Sequence, residues 1–417
     1  MVKFGLLMEA KMNRIYLDNA STTFPKPAQV ADAVYDYISN IGSNINRGCY
    51  EAAYSVEEMV FETRELICDL FNGDDSKNVV FTKNVTESLN IILKGFLKNG
   101  DHVLVSSIEH NSVMRPLNQL AENGVSFSRI PCNEFGEFMT AGNNKPSSSG
   151  DSALTDLVAH TLDAMVTPAT KAVVMTHASN VCGTIMPIKA IGKWCKNRGI
   201  RFIVDCAQTA GCIDIDMKDM NIDALAFTGH KGLLGPQGIG GFVLKDDMVP
   251  LITPLISGGS GSISHTEDIP SFMPDKFEAG TPNLPGIVGL RAGLLWLMEN
   301  GISSIREHEL ALTTAMLTGL KQLENEKLIK IIGLPDCQNR TGVISIQTVN
   351  KDMSEVAYEL DDKYKIMTRV GLHCAPIAHK TLGTYPAGTI RFSFGWNNSL
   401  DDVSAALNAL EEICHGN

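Results

Sequence analysis

The sequence predicts an α/β protein with a largely parallel sheet, followed by a smaller α+β region. Five short apolar runs are rich in β-branched residues and do not alternate with polar residues. Such runs are typical of strands that are buried on both faces of a sheet. Helical patterns lie between most of them, as parallel connections require. The predicted strands are 78–82, 102–106, 171–176, 201–205 and 223–228.

The chain outside this region predicts a second, smaller domain. Apolar residues recur at helical spacing on both sides of the strand-rich region, and two separated strands follow near the end. We expect a large domain at 26–285 and a small domain that joins 1–25 to 286–417. A polar insert at about 137–153 is rich in Gly, Ser and Pro and predicts a surface loop. The helices predicted here are 30–38, 56–70, 286–300, 303–325 and 399–413, and the strands are 341–346 and 389–394.

Composition excludes several classes of protein. The 417 residues carry a net charge of −12, and no stretch concentrates Lys and Arg, so a nucleic-acid partner is not expected. No apolar run approaches the ~18 residues that a membrane span needs. The first eleven residues have too short an apolar stretch for a secretory signal. The ten cysteines are scattered without the spacing of a metal site, which predicts reduced thiols, a cytoplasmic protein and no bound metal.

Polar and ionisable side chains follow each predicted strand of the large domain. Ligands of parallel α/β sheets bind at the carboxyl ends of the strands, so we expect these side chains to share one site. The candidates are Thr86, His110, Asn180, Asp205, Gln208, Thr228, His230 and Lys231.

This set of groups suits pyridoxal 5'-phosphate. Thr86 begins a predicted helix, whose amide groups and hydroxyl suit a phosphate. Lys231 supplies an amine for a Schiff base, and Asp205 supplies a carboxylate that keeps the pyridine nitrogen protonated. The stretch from Gly229 to Gly241 lacks the spacing of a nucleotide-binding loop, so that alternative is weak.

From about residue 14 to residue 413 the sequence resembles the class V aminotransferases, in particular the cysteine desulfurases and selenocysteine lyases. The order and spacing of eight motifs carry the resemblance. They are Tyr16-Leu-Asp-Asn-Ala-Ser-Thr-Thr, Asn84-Val-Thr-Glu-Ser-Leu-Asn, Glu109-His110, Ser179-Asn180-Val-Cys-Gly-Thr, Asp205-Cys-Ala-Gln208, Thr228-Gly-His-Lys231, Phe277-Glu-Ala-Gly-Thr-Pro-Asn and Arg369-Val-Gly-Leu-His-Cys374-Ala.

The resemblance implies the type I pyridoxal-phosphate fold, with a mostly parallel seven-stranded sheet, and a role for each matching residue. Lys231 resembles the lysine that binds the cofactor, and Asp205 resembles the partner of the pyridine nitrogen. His110 resembles the residue that stacks on the ring and shuttles protons. Asn180 and Gln208 are expected to face the ring hydroxyl. The phosphate site implied by the resemblance comprises Val85, Thr86, Thr228 and His230, with Thr281 from a second copy of the chain.

That contribution from Thr281 implies a homodimer with shared active sites. Arg391 resembles the arginine that binds the substrate carboxylate, a task that suits a guanidinium group. Cys374 matches the nucleophile of the desulfurases, which converts L-cysteine to L-alanine and leaves a persulfide for a protein acceptor. The short cysteine-containing loop resembles the type II group, although Leu372 stands where some members have a second histidine.

The residues themselves leave other interpretations open. Cys374 is dispensable if the reaction is selenocysteine lysis, β-elimination or transamination, or if the chain is a non-catalytic sulfur-relay or scaffold subunit. Alone, each candidate also has a structural interpretation. Lys231 could lie in a turn, and Asp205 and Thr281 could cap helices. His110 and His230 could be structural histidines. Arg391 could form a surface ion pair, and Cys374 could be a packed core residue.

Overall fold

A computed structural model describes residues 14–45, 48, 50–139, 151–263 and 265–416, with the side chains of residues 151 and 152 left out. The start of the chain, Cys49 and most of the predicted polar insert therefore lie outside the described residues. Among the residues that are described, no helix is both long and apolar enough to cross a membrane. The helices are α1 (Ala28–Asp36), α2 (Glu51–Leu70), α3 (Val85–Phe96), α4 (Asn111–Ala121), α5 (Asp151–Asp163), α6 (Ile188–Arg198), α7 (Leu284–Asn300), α8 (Ile302–Asn325), α9 (Met353–Asp362), α10 (Pro376–Thr381) and α11 (Leu400–His415).

A seven-stranded sheet forms the centre of the larger region, and the five predicted apolar runs are all strands of it. The strand order is β2-β8-β7-β6-β5-β3-β4. Six strands run in one direction and β8 runs against its two neighbours, so the sheet is mostly parallel as predicted. The strands are β2 (Val79–Thr82), β3 (His102–Ser106), β4 (Ser126–Ile130), β5 (Thr170–Thr176), β6 (Arg201–Asp205), β7 (Ala224–Thr228) and β8 (Gly240–Leu244).

Two strands of this sheet have no counterpart among the predicted apolar runs. β4 lies at the sheet edge and has the polar sequence Ser-Phe-Ser-Arg-Ile, so it lacks the apolar run of a central strand. β8 begins with two glycines because the backbone there is crowded. A Cβ on Gly240 would lie 2.8 Å from Asn84 Cα, and one on Gly241 would lie 2.5 Å from Val80 O. Those glycines obscure the strand signal in the sequence.

Helices cover both faces of the sheet, which explains why its central strands are apolar throughout. Along β7, Leu225 and Phe227 join one buried cluster, which includes residues of α2, α6 and α7. Ala224 and Ala226, which point the other way, join a second cluster with residues of α3 and α4. The carboxyl ends of the parallel strands therefore open at one edge of a three-layer structure.

A four-stranded antiparallel sheet forms the second region, with the order β12-β13-β10-β9. Its apolar core includes residues of α8, α9 and α11, and Leu17 from the start of the chain joins the same core. β1 pairs with β11 in parallel, which ties the N-terminal segment to this region. The strands are β1 (Ile15–Tyr16), β9 (Ile329–Ile332), β10 (Val343–Thr348), β11 (Ile366–Met367), β12 (Arg369–Gly371) and β13 (Thr389–Ser393).

Helix α7 has an apolar face in the larger region although it lies beyond the predicted boundary at residue 285. Ile287, Leu290 and Leu294 join the cluster that covers the seven-stranded sheet. Leu312 of the next helix, α8, belongs instead to the core of the four-stranded sheet. The division into 26–285 and 1–25 with 286–417 stays a prediction.

Candidate active site

The turn after β7 places Lys231 at the edge where the parallel strands end. Gly229 is required in this turn because a Cβ there would lie 2.8 Å from Ile239 Cγ2 and 3.0 Å from Ile239 O. Burial, and to a smaller extent the positive charge of Arg391, lowers the pKa of Lys231 to about 8, while Asp205 opposes the shift. About a tenth of this amine is therefore unprotonated at pH 7, and the unprotonated amine is the form that attacks a carbonyl group.

Asp205 ends the neighbouring strand β6 and is held by two hydrogen bonds. Its Oδ1 accepts from Ala207 N at 3.0 Å, and its Oδ2 accepts from Ser112 Oγ at 3.1 Å. Burial raises the pKa of this carboxyl group, and the hydrogen bond from Ala207 and the charge of Lys231 lower it. No Lys, Arg or His of the described residues forms an ion pair with this buried carboxylate, which therefore suits a ligand that brings a protonated nitrogen.

His110 caps helix α4 from the end of the β3 loop. Its Nδ1 accepts from Ser112 N at 3.0 Å, which assigns the ring proton to Nε2. Burial lowers the pKa of His110 to about 4, with a smaller contribution from the charge of Lys231. The ring is therefore neutral. Ser112 connects it to Asp205, because its backbone N donates to the ring and its Oγ donates to the carboxylate.

The predicted phosphate residues lie at the start of α3 and at the end of β7. Val85 and Thr86 are the first two residues of α3, where helix amide groups lack partners within the helix. Thr228 Oγ1 and His230 Nδ1 are buried and have no hydrogen-bond partner among the described residues. Unsatisfied buried polar atoms after β7 and the free amide groups at the start of α3 both suit a phosphate group, so the residues present fit the predicted cofactor.

Asn180 and Gln208, predicted to face the ring hydroxyl, make hydrogen bonds within the chain. Asn180 Nδ2 donates to His373 O at 2.7 Å, and Gln208 Nε2 donates to Ala20 O at 3.1 Å. Asn180 therefore connects the loop after β5 to the residue before Cys374. Their predicted contact with the cofactor stays a prediction.

Arg391 lies in β13 with only 2% of its surface exposed. Its Nη2 donates to Asp18 Oδ1 at 2.9 Å and to Ser21 Oγ at 2.6 Å. Its Nη1 donates to Asn180 O at 3.0 Å, whereas its Nε has no partner among the described residues. The alternative of a surface ion pair is wrong, because the carboxylate partner is the buried Asp18.

Cys374 lies on an exposed turn between β12 and α10. Both His373 and Cys374 have positive φ values, of 47° and 57°, which turn the chain sharply. Cys374 O accepts a hydrogen bond from Asn111 N at 2.9 Å. The thiol is exposed, so the alternative of a packed core cysteine is wrong.

Thr281 is exposed on this chain, in the segment before α7. An exposed position is required for a residue that completes a site on another copy of the chain. Its predicted role in the partner's phosphate site stays a prediction.

Two residues of this site have no assigned role in the sequence interpretation. Ser112 bonds both His110 and Asp205, and its position two residues after His110 at a helix start is a capping signal. Asp18 accepts from Arg391 and from Arg369, whose Nε lies 3.0 Å from Asp18 Oδ2. Asp18 belongs to the first quoted motif, but its partners are more than 350 residues away in the sequence.

Comparison with known proteins agrees with this geometry. Residues 15–406 match the family described as aminotransferase class-V. The chain is 33% identical over 405 residues to a probable cysteine desulfurase of Methanothermobacter thermautotrophicus, covering 96% of this chain and 95% of the relative. It is also 33% identical over 407 residues to a probable cysteine desulfurase of Pyrococcus abyssi, covering 96% and 94%.

Solved structures show the same fold. A cysteine desulfurase from Thermococcus onnurineus superposes with a TM-score of 0.85 at 31% identity, over 97% of this chain and 96% of the other. The cysteine desulfurase CsdA of Escherichia coli gives a TM-score of 0.78 at 27% identity, over 96% and 94%. The fold is thus the type I fold that the sequence predicts.

The fold, the lysine–aspartate site and the family match define a class V aminotransferase, a family of pyridoxal-phosphate enzymes. Within that class the chain belongs to the cysteine desulfurase family, as its full-length relatives establish.

Proposed function

We propose that this chain converts L-cysteine to L-alanine and takes the sulfur onto Cys374 as a persulfide. One observation supports this most directly. The hydrogen bond from Asn111 N to Cys374 O holds an exposed thiol beside the residue that follows His110. The nucleophile is thereby tied to the same helix start that carries the predicted ring-stacking histidine.

The cofactor proposed for this site is pyridoxal 5'-phosphate, which when bound withdraws electrons from the substrate carbon. We assign Lys231 to the covalent attachment and Asp205 to the pyridine nitrogen. Asn180 and Gln208 are assigned to the ring hydroxyl. The phosphate is assigned to Val85, Thr86, Thr228 and His230.

Arg391 is proposed to bind the substrate carboxylate. Asp18 and Ser21 hold one end of its guanidinium group, and Asn180 O holds the other nitrogen, so the plane of the group is fixed. The remaining N–H donors, on Nε and Nη1, are left to bind and orient a carboxylate. Orientation of the carboxylate sets the direction of the substrate side chain within the site.

The proposed chemistry uses two groups of the chain in sequence. Lys231 Nζ, as a neutral amine, removes the α-proton of the bound substrate. The Cys374 thiolate then forms an S–S bond with the substrate sulfur as the C–S bond breaks, and the electron pair stays with the substrate carbon. Protonation of that carbon gives the methyl group of alanine. One cysteine and one enzyme thiol thus give one alanine and one enzyme persulfide.

We further propose a homodimer in which Thr281 completes the phosphate site of the partner, and a protein acceptor that collects the sulfur from the exposed Cys374. The proposed location is the cytoplasm, where cysteines stay reduced. All nine cysteines in the described part of the chain are unpaired, which agrees with a reducing compartment.

The identity of the products tests the proposal. Purified holoenzyme is incubated with L-cysteine and a reducing thiol, and alanine, sulfide, pyruvate and keto acids are quantified. Equal amounts of alanine and sulfide over many turnovers support a desulfurase. Pyruvate in place of alanine indicates β-elimination. Conversion of the bound pyridoxal 5'-phosphate to its amine form, with one keto acid released per site, indicates transamination. Alanine from L-selenocysteine but not from L-cysteine indicates a selenocysteine lyase, and the absence of any product supports a scaffold subunit.

A further inference from the structure

Three donors from the segment after β1 converge on one backbone carbonyl in the lysine turn. His230 O accepts from Thr22 Oγ1 at 3.1 Å, from Thr23 N at 3.1 Å and from Lys26 Nζ at 2.5 Å. A carbonyl oxygen has two lone pairs, so three donors exceed what hydrogen-bond satisfaction alone requires. The next carbonyl, Lys231 O, accepts from Thr23 Oγ1 at 3.0 Å. The two peptides on either side of Lys231 are therefore both held by one segment.

Lys26 is a costly residue for this position. Burial lowers the pKa of its amine to about 7. Within the described chain, no carboxylate lies within 4.0 Å of its Nζ. A partly buried cation without a contacting counter-ion is unfavourable, and a neutral donor satisfies a carbonyl at lower cost. The positive charge of Lys26 also contributes to the low pKa of His230, so the two groups are neighbours.

The segment that holds the lysine turn also holds the proposed carboxylate site. Asp18 and Ser21 both contact the guanidinium group of Arg391. Ala20 O accepts from Gln208 Nε2 at 3.1 Å. Residues 18–26 therefore connect the lysine turn of the seven-stranded sheet to Arg391 in the four-stranded sheet.

We propose that Lys26 is a positioning residue for the reaction: its Nζ fixes the His230–Lys231 peptide, so that the cofactor-binding amine and the phosphate site keep their spacing. The inference rests on the proposed roles of Lys231 and His230. Loss of Lys26 then affects cofactor binding more than folding. The reason is that Lys231 and His230, which it would displace, are both assigned to binding the cofactor.

Two substitutions and a matched control test this inference. Lys26→Met keeps the buried stem and removes the donor, whereas Lys26→Arg keeps a cationic donor. Lys276→Met is the control, because Lys276 Nζ donates to Val249 O at 2.6 Å and burial likewise lowers its pKa. The measurements are the affinity of each apoprotein for pyridoxal 5'-phosphate, the pH midpoint of the absorbance of the lysine-bound cofactor, and the melting temperature.

We expect Lys26→Met to weaken cofactor affinity about tenfold, the usual effect of one lost buried hydrogen bond to a charged donor. Its absorbance midpoint should move by about half a pH unit, which corresponds to a modest change in the surroundings of Lys231. In Lys26→Arg, the cofactor affinity and the absorbance midpoint should both return most of the way to the wild-type values. Lys276→Met should lower the melting temperature alone. If Lys26→Met changes only the melting temperature, as the control does, the inference is wrong.

A further variant covers the case in which Lys26→Met does not fold. Thr22→Val removes a second donor to His230 O and should weaken cofactor affinity about threefold, since it is an uncharged donor. Unchanged affinity and midpoint in this variant would overturn the inference. Lys231→Ala distinguishes failure of this inference from failure of the proposed function. If Lys231→Ala retains the absorbance of a lysine-bound cofactor, the assignment of Lys231 is wrong. If the absorbance is lost, that assignment is supported, and the other variants then test the role of Lys26 alone.

Discussion

The site has a lysine side, formed by Lys231, Asp205 and His110, and a cysteine side, formed by the turn that carries Cys374. The two sides differ in their exposure to solvent. Asp205 and His110 lie at the edge of the seven-stranded sheet, where burial shifts their pKa values, and the same effect lowers the pKa of Lys231. Cys374 lies on an exposed turn with positive φ angles beside the four-stranded sheet. The lysine side shields its ionisable groups from much of the solvent, and the cysteine side exposes its thiol to solvent.

This difference corresponds to the two halves of the proposed reaction. Proton removal at carbon benefits from a dry site in which amines and carboxylates have shifted pKa values. Transfer of sulfur to another protein requires that the sulfur leave the site. Asn180 connects the halves, because its side chain donates to His373 O and its own carbonyl accepts from Arg391.

A large effect on substrate binding is expected where the two sides meet, at Arg391. Arg391→Lys keeps the charge but cannot reproduce contacts to Asp18, Ser21 and Asn180 together with a substrate carboxylate. We expect the KM for L-cysteine to rise about ten- to a hundredfold, with a smaller fall in kcat. Steady-state alanine production measures both constants. An unchanged KM would show that the carboxylate binds elsewhere.

The pH dependence of cofactor attachment tests the dry lysine side. Only the unprotonated amine of Lys231 reacts, and burial places its pKa at about 8. The rate at which apoprotein takes up pyridoxal 5'-phosphate should rise about tenfold per pH unit below about pH 8 and then level off. Stopped-flow absorbance gives this rate. A rise that continues beyond about pH 10 would indicate a lysine with an ordinary pKa and a wetter site.

A further expected effect is on stability, and it concerns Glu109, a buried acid next to His110. Its Oε1 accepts from Thr176 N at 2.9 Å and from Ser106 Oγ, and burial raises its pKa to about 8. A folded-state pKa above the unfolded value means that stability is lost as pH rises from about 4.5 through about 8. The free energy of unfolding of Glu109→Gln, relative to the wild type, should therefore increase by about 1–3 kcal/mol between about pH 5 and about pH 8.

Urea unfolding of both holoenzymes at the two pH values measures this difference. A difference between variant and wild type that is the same at both pH values would mean that Glu109 is ionised in the folded protein. The lysine side would then be less dry than the structure indicates.

Local patterns in the sequence were sufficient for much of the fold and for one side of the site. The central strands are apolar on both faces, so their positions and the polar residues at their ends could be predicted, including Asp205 and Lys231. The edge strand β4 and the glycine-rich start of β8 could not be predicted, because solvent exposure and backbone crowding replace the apolar signal there.

The contacts made by residues 18–26 could not be predicted from sequence patterns. Asp18 lies 373 positions before Arg391, and Lys26 lies 204 positions before His230. Periodicity and motif spacing describe only neighbours within one element or loop. The role predicted for Cys374 likewise rests on the family resemblance, since nothing in the composition distinguishes it from the other nine cysteines.

The central claim is that the exposed cysteine receives the sulfur while the buried lysine side acts on the carbon. Alanine release from L-cysteine in the presence of a reducing thiol, compared between wild type and Cys374→Ala, tests it most directly. Cys337→Ala is the matched control, since Cys337 is a partly exposed thiol beside Thr314. We expect alanine release to fall at least about a hundredfold in Cys374→Ala, as removal of a nucleophile does, and to stay unchanged in Cys337→Ala. Undiminished alanine release from Cys374→Ala would contradict the claim.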